Sequence, residues 1–399
     1  MSPLQGIVLF LTWFGAGLLQ PILSLLLLSR GCTIQTLPLA LGVYSLTVLV
    51  LEVPSGVFAD WRGRRTTFLA SLAFYLISFA LMLSARAFPA VAAAMVAQGA
   101  GRAFSSGSLD ALIIDGAVAR LGEGALPRVS AQLMVLQSAG VALGALLGGF
   151  LPERAGFRLH LVVRVALLAL TGLLGALFLR EDLRPGQGRP GLGSQLAQSA
   201  ALLRGNRPFW CILCCMTALA GLMALVETYW QPAFKALVPT GPNWQLSLLC
   251  TGGFLLTTLA SLLTGRIKAA SLERRWSGYF TLQILLGWAA LLLALSLGPA
   301  GFIGGYLLFY ALLGAGSIQE QTLLNTLSGS ASRATVLSVA SLACQMGALG
   351  FNTASSALVV RVGFGGVWAL AGITLAAVSL AACFLRKRPV RRSGSPPPT

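Results

Sequence analysis

Residues 56–65 read Gly56-Val57-Phe58-Ala59-Asp60-Trp61-Arg62-Gly63-Arg64-Arg65, a short charged stretch between two long apolar runs. Glycine at 56 permits close approach of a neighbouring helix, and glycine at 63 permits a sharp turn. The carboxylate of Asp60 is expected to pack among the guanidinium forks of Arg64 and Arg65, which pair bidentately with such groups. The apolar helix ending here also presents the partial negative charge of its C-terminus to those cations. A cluster of this kind can latch two helices in one conformation and release them in another.

The flanking apolar runs recur along the whole chain. Of 399 residues, 56% are hydrophobic and only 10% are charged, and the mean hydropathy is +0.82. Soluble domains carry roughly a quarter charged residues, so most of this chain belongs in lipid. About 20 apolar residues in a helix cross the ~30 Å hydrocarbon core. Runs of that length predict spans near 5–28, 37–59, 66–85, 88–116, 130–151, 160–179, 208–232, 244–265, 278–297, 301–325, 335–360 and 364–385. The predicted fold is an all-α membrane protein of twelve transmembrane helices. Residues 1–29 carry no charge, so the first run lacks a basic n-region and is expected to stay as a span.

The formal net charge of +17 would suggest nucleic acid on a soluble protein. On a membrane protein it follows from cations gathering on the cytoplasmic side, and no nucleic-acid partner is expected. Twelve spans put both termini on one side. If that side is cytoplasmic, twenty of the 28 Lys and Arg lie inside, six outside, and Arg102 and Arg164 fall within spans. This asymmetry predicts a multi-pass protein of the cytoplasmic (inner) membrane with both termini cytoplasmic. Only three of the 28 are Lys, a bias expected of a GC-rich bacterial genome. The polar stretch 180–207, rich in Gly and Pro, reads as a linker between bundles 1–179 and 208–385, and 386–399 as a basic disordered tail. Cys211, Cys214 and Cys215 cluster without a His nearby, so they are expected to pack as small hydrophobes, with no metal and no cofactor.

The two halves echo each other. Gln20-Pro21 is repeated at Gln231-Pro232, an offset of 211. Span 4 ends Leu112-Ile113-Ile114-Asp115 and span 10 ends Leu323-Leu324-Asn325, an offset of 210. Spans 5 and 11 begin at Arg128 and Arg333, an offset of 205. Three matches at nearly one offset favour a duplicated six-helix unit. With the stretch 56–65 between spans 2 and 3, the chain resembles the major facilitator superfamily, whose signature is Gly-x-x-x-Asp-(Arg/Lys)-x-Gly-Arg-(Arg/Lys). The cation expected after Asp60 is Trp61, with Arg62 one place on, which leaves a direct role for position 61 in doubt. The resemblance implies two pseudo-symmetric six-helix bundles around a central site at mid-depth. It also implies a latch of Gly56, Asp60, Gly63, Arg64 and Arg65, completed by Asp115 at the inner end of span 4.

Span 4 carries Gln98, Arg102, Asp110 and Asp115. Ionisable groups on one membrane helix are costly unless they face a cavity or a partner. Gln98 and Arg102 share a face, and Asp110 is expected to face the cavity. Facilitator drug exporters carry Arg-x-x-Gln-Gly-x-Gly in span 4; here the Arg position is Met95, and Arg102 lies two turns on. Span 5 places Gly140, Gly144, Gly148 and Gly149 along a face built for close helix packing. This resembles the Gly-x-x-x-Gly-Pro-x-x-Gly-Gly element of proton-coupled exporters, with Ala145 in place of the Pro. Span 7 ends in Glu227 and Gln231 on one face. Glu52, Arg164, Glu320 and Asn325 are further polar groups at membrane depth, expected to pair with one another. His160, at the start of span 6, is expected to meet water or headgroups.

Gln20, Arg102, Asp110, Glu227, Gln231, Glu320 and Asn325 are the candidate substrate and proton-cavity residues. Burial raises carboxyl pKa values and a nearby Arg lowers them, so acids without an obvious Arg partner, Asp110 and Glu227 and then Glu320, are the candidate proton carriers. No phosphate-binding Gly-x-x-x-x-Gly-Lys-Ser/Thr stretch is present, which points to an ion gradient. The expectation is a secondary transporter working by alternating access, exporting a small molecule in exchange for protons, monomeric in the bilayer. The alternative within this fold is an importer or facilitator of a small metabolite, an anionic one suiting Arg102 and Arg164. An enzyme is not expected, since one His and no paired acids leave little to build a catalytic site.

Overall fold

The computed structural model describes residues 1–181, 206–267, 271–327 and 333–387. Most of the predicted linker and tail lies outside the described residues. Within them every regular element is a helix. Span 1 is Pro3–Leu19 followed, after a 61° bend, by Leu23–Ser29. Span 2 is Leu37–Arg62 and span 3 is Arg64–Ser84. Span 4 is Phe88–Ser105 plus Ser108–Leu121, and span 5 is Leu126–Gly148. Span 6 is the longer part of Phe150–Phe178, after a break at Ala155 and Gly156. Spans 7 to 10 are Arg207–Leu237, Trp244–Arg266, Leu272–Ala294 and Pro299–Leu327. Spans 11 and 12 share Arg333–Lys387, broken at Gly363.

By length and apolarity nine helices qualify as crossings among the described residues, or ten with the bent first pair. Dividing the last helix at Gly363 and joining the two pieces of span 4 gives the twelve. Proline in the first turn opens spans 1, 2, 4, 5 and 7, where its missing N–H has no helical partner to lose.

Packing repeats across the chain. Span 1 packs on span 5 and span 7 on span 11; span 2 packs on span 4 and span 8 on span 10; span 3 packs on span 6 and span 9 on span 12. These are two six-helix bundles of one plan. The turns repeat too: Gly156 (φ 67°, ψ −175°) and Gly363 (φ 68°, ψ −177°) each precede a Phe and each link a fifth to a sixth span. The stripe in span 5 lies on span 1: a methyl group on Gly140, Gly144 or Gly148 would fall 2.9, 2.2 or 2.2 Å from a backbone carbonyl oxygen of Phe10, Phe14 or Leu18. Gly149 turns instead to the second bundle, where a methyl group would meet the Asn243 carbonyl oxygen at 2.4 Å.

The bundles are joined chiefly at one end. The N-terminus and the end of span 4 lie together, Met1 and Gln5 lining a crevice with Ala117 and Arg120, and define the terminal face. At the opposite face, Ser24 Oγ donates to the Thr228 carbonyl (2.8 Å), Gly149 N donates to Ser247 Oγ (2.7 Å) and Ser356 Oγ donates to the Gln35 carbonyl (2.8 Å). Asn243 N also donates to Glu153 there. Gln231 sits between the bundles, its Oε1 accepting from Ser24 N and its Nε2 donating to the Gln20 carbonyl, both at 2.8 Å. The two Gln-Pro echoes thus meet in space. Deeper in, Ser341 Oγ donates to Glu52 Oε1 at 3.4 Å.

Candidate functional site

At the terminal face, spans 2 and 3 follow each other through Gly63 alone (φ 89°, ψ 159°), a conformation open essentially only to Gly. The turn exposes the first N–H groups of span 3, which no helical carbonyl reaches. Glu181, just past span 6, takes two of them: Arg64 N donates to Oε1 (2.7 Å) and Arg65 N to Oε2 (2.8 Å). A carboxylate at a helix N-terminus also meets the positive end of its dipole. Arg64 forms an ion pair with Asp115, and Arg65 Nη2 donates to the Ala176 carbonyl at 2.6 Å. Spans 2, 3, 4 and 6 are therefore tied at one point.

Two details depart from the expectation. Asp60 is exposed, and no ion pair among the described residues includes it; the carboxylates that serve this turn come from spans 4 and 6, which can reach the start of span 3 where the end of span 2 cannot. Gly56 has no atom within 4 Å of the place a methyl group would occupy, so it makes no close helix contact. Trp61 is 70% exposed with the Arg62 guanidinium 4.2 Å over its ring.

Within the first bundle lies a cavity of about 620 Å³. Span 4 is broken beside it. Ser106 ends the first helix and Gly107 (φ 69°, ψ −4°) starts the second. Arg102 therefore lies in the last turn of one helix and Asp110 in the first turn of the next, each complementing the local dipole. A single continuous span was expected here; the Ser105-Ser106-Gly107 run is the breaker signal that marks the interruption. Both charged side chains line the cavity with Gln20, Gln98, Gln137, Tyr44, Tyr75 and Arg164. Gln137 Nε2 donates to both oxygens of Asp110, at 2.9 and 3.0 Å.

Arg164 is 5% exposed. It forms no hydrogen bond or ion pair among the described residues, and its Nε is buried without a partner. The Phe79 ring lies 4.8 Å from its guanidinium carbon. Such a contact is worth ~0.5–2 kcal/mol, against several kcal/mol to take an ion out of water, so the cavity must supply water or a counter-ion. The group fits because residue 15 is Gly: a methyl group there would lie 2.1 Å from Nη1. His160, one turn earlier, is fully buried with neither ring nitrogen partnered. This reverses the expectation of water or headgroups, because the helix carrying it starts earlier than the apolar run suggests. The expected mutual pairing of Glu52, Arg164 and Glu320 is also not found.

The remaining candidates lie outside the cavity. Gln231 is buried in the seal described above. Glu227 accepts from the Tyr310 hydroxyl; the Tyr310 ring packs at a tilt on Tyr306 (centroids 4.6 Å apart) and Tyr306 on Trp230 (5.0 Å). Glu320 Oε2 accepts from the Tyr279 hydroxyl at 3.2 Å. Asn325 is exposed near the end of span 10. Glu227 and Glu320 are thus satisfied within the second bundle by phenols, whereas the residues lining the polar cavity all come from the first bundle.

Residues 6–240, more than half of the chain, match the family described as the Major Facilitator Superfamily. This chain belongs to the major facilitator superfamily. As a member of this family it is a transporter and not an enzyme. It superposes on the nucleoside transporter NupG with a TM-score of 0.79 at 13% identity, covering 97% of this chain and 100% of that one. It superposes on the human organic anion transporter MFSD10 (TETRAN) with a TM-score of 0.62 at 18% identity, covering 96% and 100%. No curated protein matches it in sequence. The facilitator residues that sequence reasoning missed are Glu181, Gln137, Tyr75, Tyr279 and Tyr310. Each is an ordinary polar residue whose place depends on a span distant in sequence.

Proposed function

We propose that this facilitator is a secondary transporter that carries a small organic molecule across the cytoplasmic membrane by alternating access. The observation that carries the reading is the cavity at the break in span 4, where two half-helix ends, Arg102 and Asp110 converge. Interrupted helices beside a mid-depth cavity are how transporters bring polar groups into the membrane without lipid exposure. The hydrogen bonds at the face opposite the termini support a state closed there and reached from the terminal side. The cation asymmetry supports assigning that side to the cytoplasm. The cluster of Gly63, Arg64, Arg65, Asp115 and Glu181 acts as the latch that keeps spans 2, 3, 4 and 6 moving as a body. The cavity is built within one chain, which favours a monomer.

Protons are the coupling ion in this reading, and export is the direction, with protons entering as cargo leaves. Glu227 with Tyr310 and Asp110 with Gln137 are the carboxylates placed to exchange a proton as the bundles rock. The tight seat of the span 5 glycines on span 1 supports the likeness to exporters. Uptake of a small anion is the second reading, favoured by the two cavity guanidiniums.

The test is flux in proteoliposomes with an imposed pH gradient and a mixed library of lipophilic cations and organic anions. Accumulation that collapses with an uncoupler is expected. Glu227→Gln is expected to reduce gradient-driven accumulation at least ten-fold while leaving exchange of labelled for unlabelled cargo. Undiminished gradient-driven transport in both Glu227→Gln and Asp110→Asn would remove the proton role.

A further inference from the structure

We propose that Arg164 is the anchor for an oxyanion head group of the cargo, and that the cargo is a small amphipathic organic carboxylate. The inference rests on the transport reading above and narrows its substrate class. Two guanidiniums, Arg102 and Arg164, line the cavity against one carboxylate. That carboxylate, Asp110, accepts from Gln137 at both oxygens and forms no ion pair with Arg164 among the described residues. His160, the titratable group one helical turn away, offers no negative charge. Arg164 is more than nine-tenths buried, lines the cavity and has no hydrogen-bond or ion-pair partner among the described residues.

The surroundings are shaped for such a ligand. Phe79 covers one face of the guanidinium and leaves its edge for hydrogen bonds. The absence of a side chain at Gly15 gives Nη1 its room. A planar fork of donors matches the two oxygens of a carboxylate. Tyr75 lines the same cavity as both arginines and adds a phenol hydroxyl to its polar lining. Trp13, Tyr44, Phe68 and Leu72 provide an aromatic and apolar wall for the body of the ligand. At about 620 Å³, the space is in the range of drug-sized ligand pockets.

The experiment measures equilibrium binding of radiolabelled 2-naphthoate to the purified full-length protein in detergent. Neutral 2-naphthamide and cationic 2-naphthylmethylamine are the competitors. Wild type is expected to bind naphthoate at least ten-fold more tightly than the amide. Arg164→Gln should abolish that preference, and Arg164→Lys should retain part of it. Gly15→Ala, which keeps every charge but makes the guanidinium shift, should weaken the preference less than Arg164→Gln. If the variants lose monodispersity, the wild-type preference for anion over amide still decides. Equal binding of naphthoate and naphthamide by wild type overturns the proposal, as does full naphthoate affinity in a folded Arg164→Gln protein. Proteoliposome flux separates the two readings. Flux with no anion preference removes the anchor and keeps the transporter. Arg164-dependent naphthoate binding with no flux of any library compound removes the transporter and keeps the site.

Discussion

Single residues here differ in worth according to what they leave behind. The Arg64–Asp115 pair is partly open to solvent, with side chains 30% and 63% exposed, and such pairs contribute ~0–1 kcal/mol. Glu181 instead satisfies two backbone N–H groups with a charged acceptor, and breaking hydrogen bonds to a charged group costs about 1.5–3 kcal/mol. Glu181→Gln is therefore expected to lower the melting temperature in detergent more than Arg64→Gln. The reverse order would mean that the ion pair, and not the cap, holds this corner. Cys32 offers a second check. It lies in the turn between spans 1 and 2, yet is only 7% exposed, and burial pushes its thiol up to about 11. A raised thiol pKa means little thiolate at neutral pH. Maleimide at pH 8 should leave Cys32 unlabelled by mass spectrometry in the folded protein and label it after denaturation; rapid labelling of the folded protein at pH 8 would contradict its packing.

At the scale of elements, the breaks matter more than the helices. Gly63 and Gly107 both have positive φ, but their surroundings differ. A methyl group at 63 would lie 2.6 Å from Glu181 Oε2, whereas one at 107 would meet nothing within 4 Å. Gly107→Ala should cost about 1–2 kcal/mol from backbone conformation alone. Gly63→Ala should cost that and more, about 3 kcal/mol or above, because the Gly-only conformation and the cap are lost together. Comparative thermal unfolding of the two variants checks the order. Gly107→Ala should also reduce transport beyond its effect on folded protein, because the break sets Arg102 and Asp110 at facing helix ends.

For the whole molecule, the balance between the two faces is the quantity to measure. Gln231 makes two hydrogen bonds between the bundles and is 1% exposed. Gln231→Ala leaves the Ser24 N–H unsatisfied, a cost of about 1–3 kcal/mol to the closed opposite face, and each 1.4 kcal/mol is about ten-fold in population. Opening at that face should rise roughly ten-fold or more by this arithmetic. Labelling of a Gln20→Cys reporter by an impermeant thiol reagent added on that side is the readout. Labelling unchanged by Gln231→Ala would show that the seal depends on other contacts, such as Gly149 with Ser247.

By itself the sequence determined the membrane class, the twelve crossings, the duplicated unit and the charged turn at Gly63. These follow from apolar run length, a constant offset and residue spacing, all properties of neighbours along the chain. Gln20-Pro21 and Gln231-Pro232 were legible as an echo, and Gly156-Phe157 with Gly363-Phe364 is an equally clear one that passes unnoticed until the backbone is seen. The tertiary structure decided which polar groups meet. It turned Glu227 and Glu320 to phenols of neighbouring spans, gave Asp110 to Gln137, brought Glu181 to the start of span 3 and left Arg164 lining a cavity with no ion-pair partner among the described residues. Those outcomes depend on the rotation and depth of helices far apart in sequence, where a one-residue change in a helix start swings a side chain by about 100°.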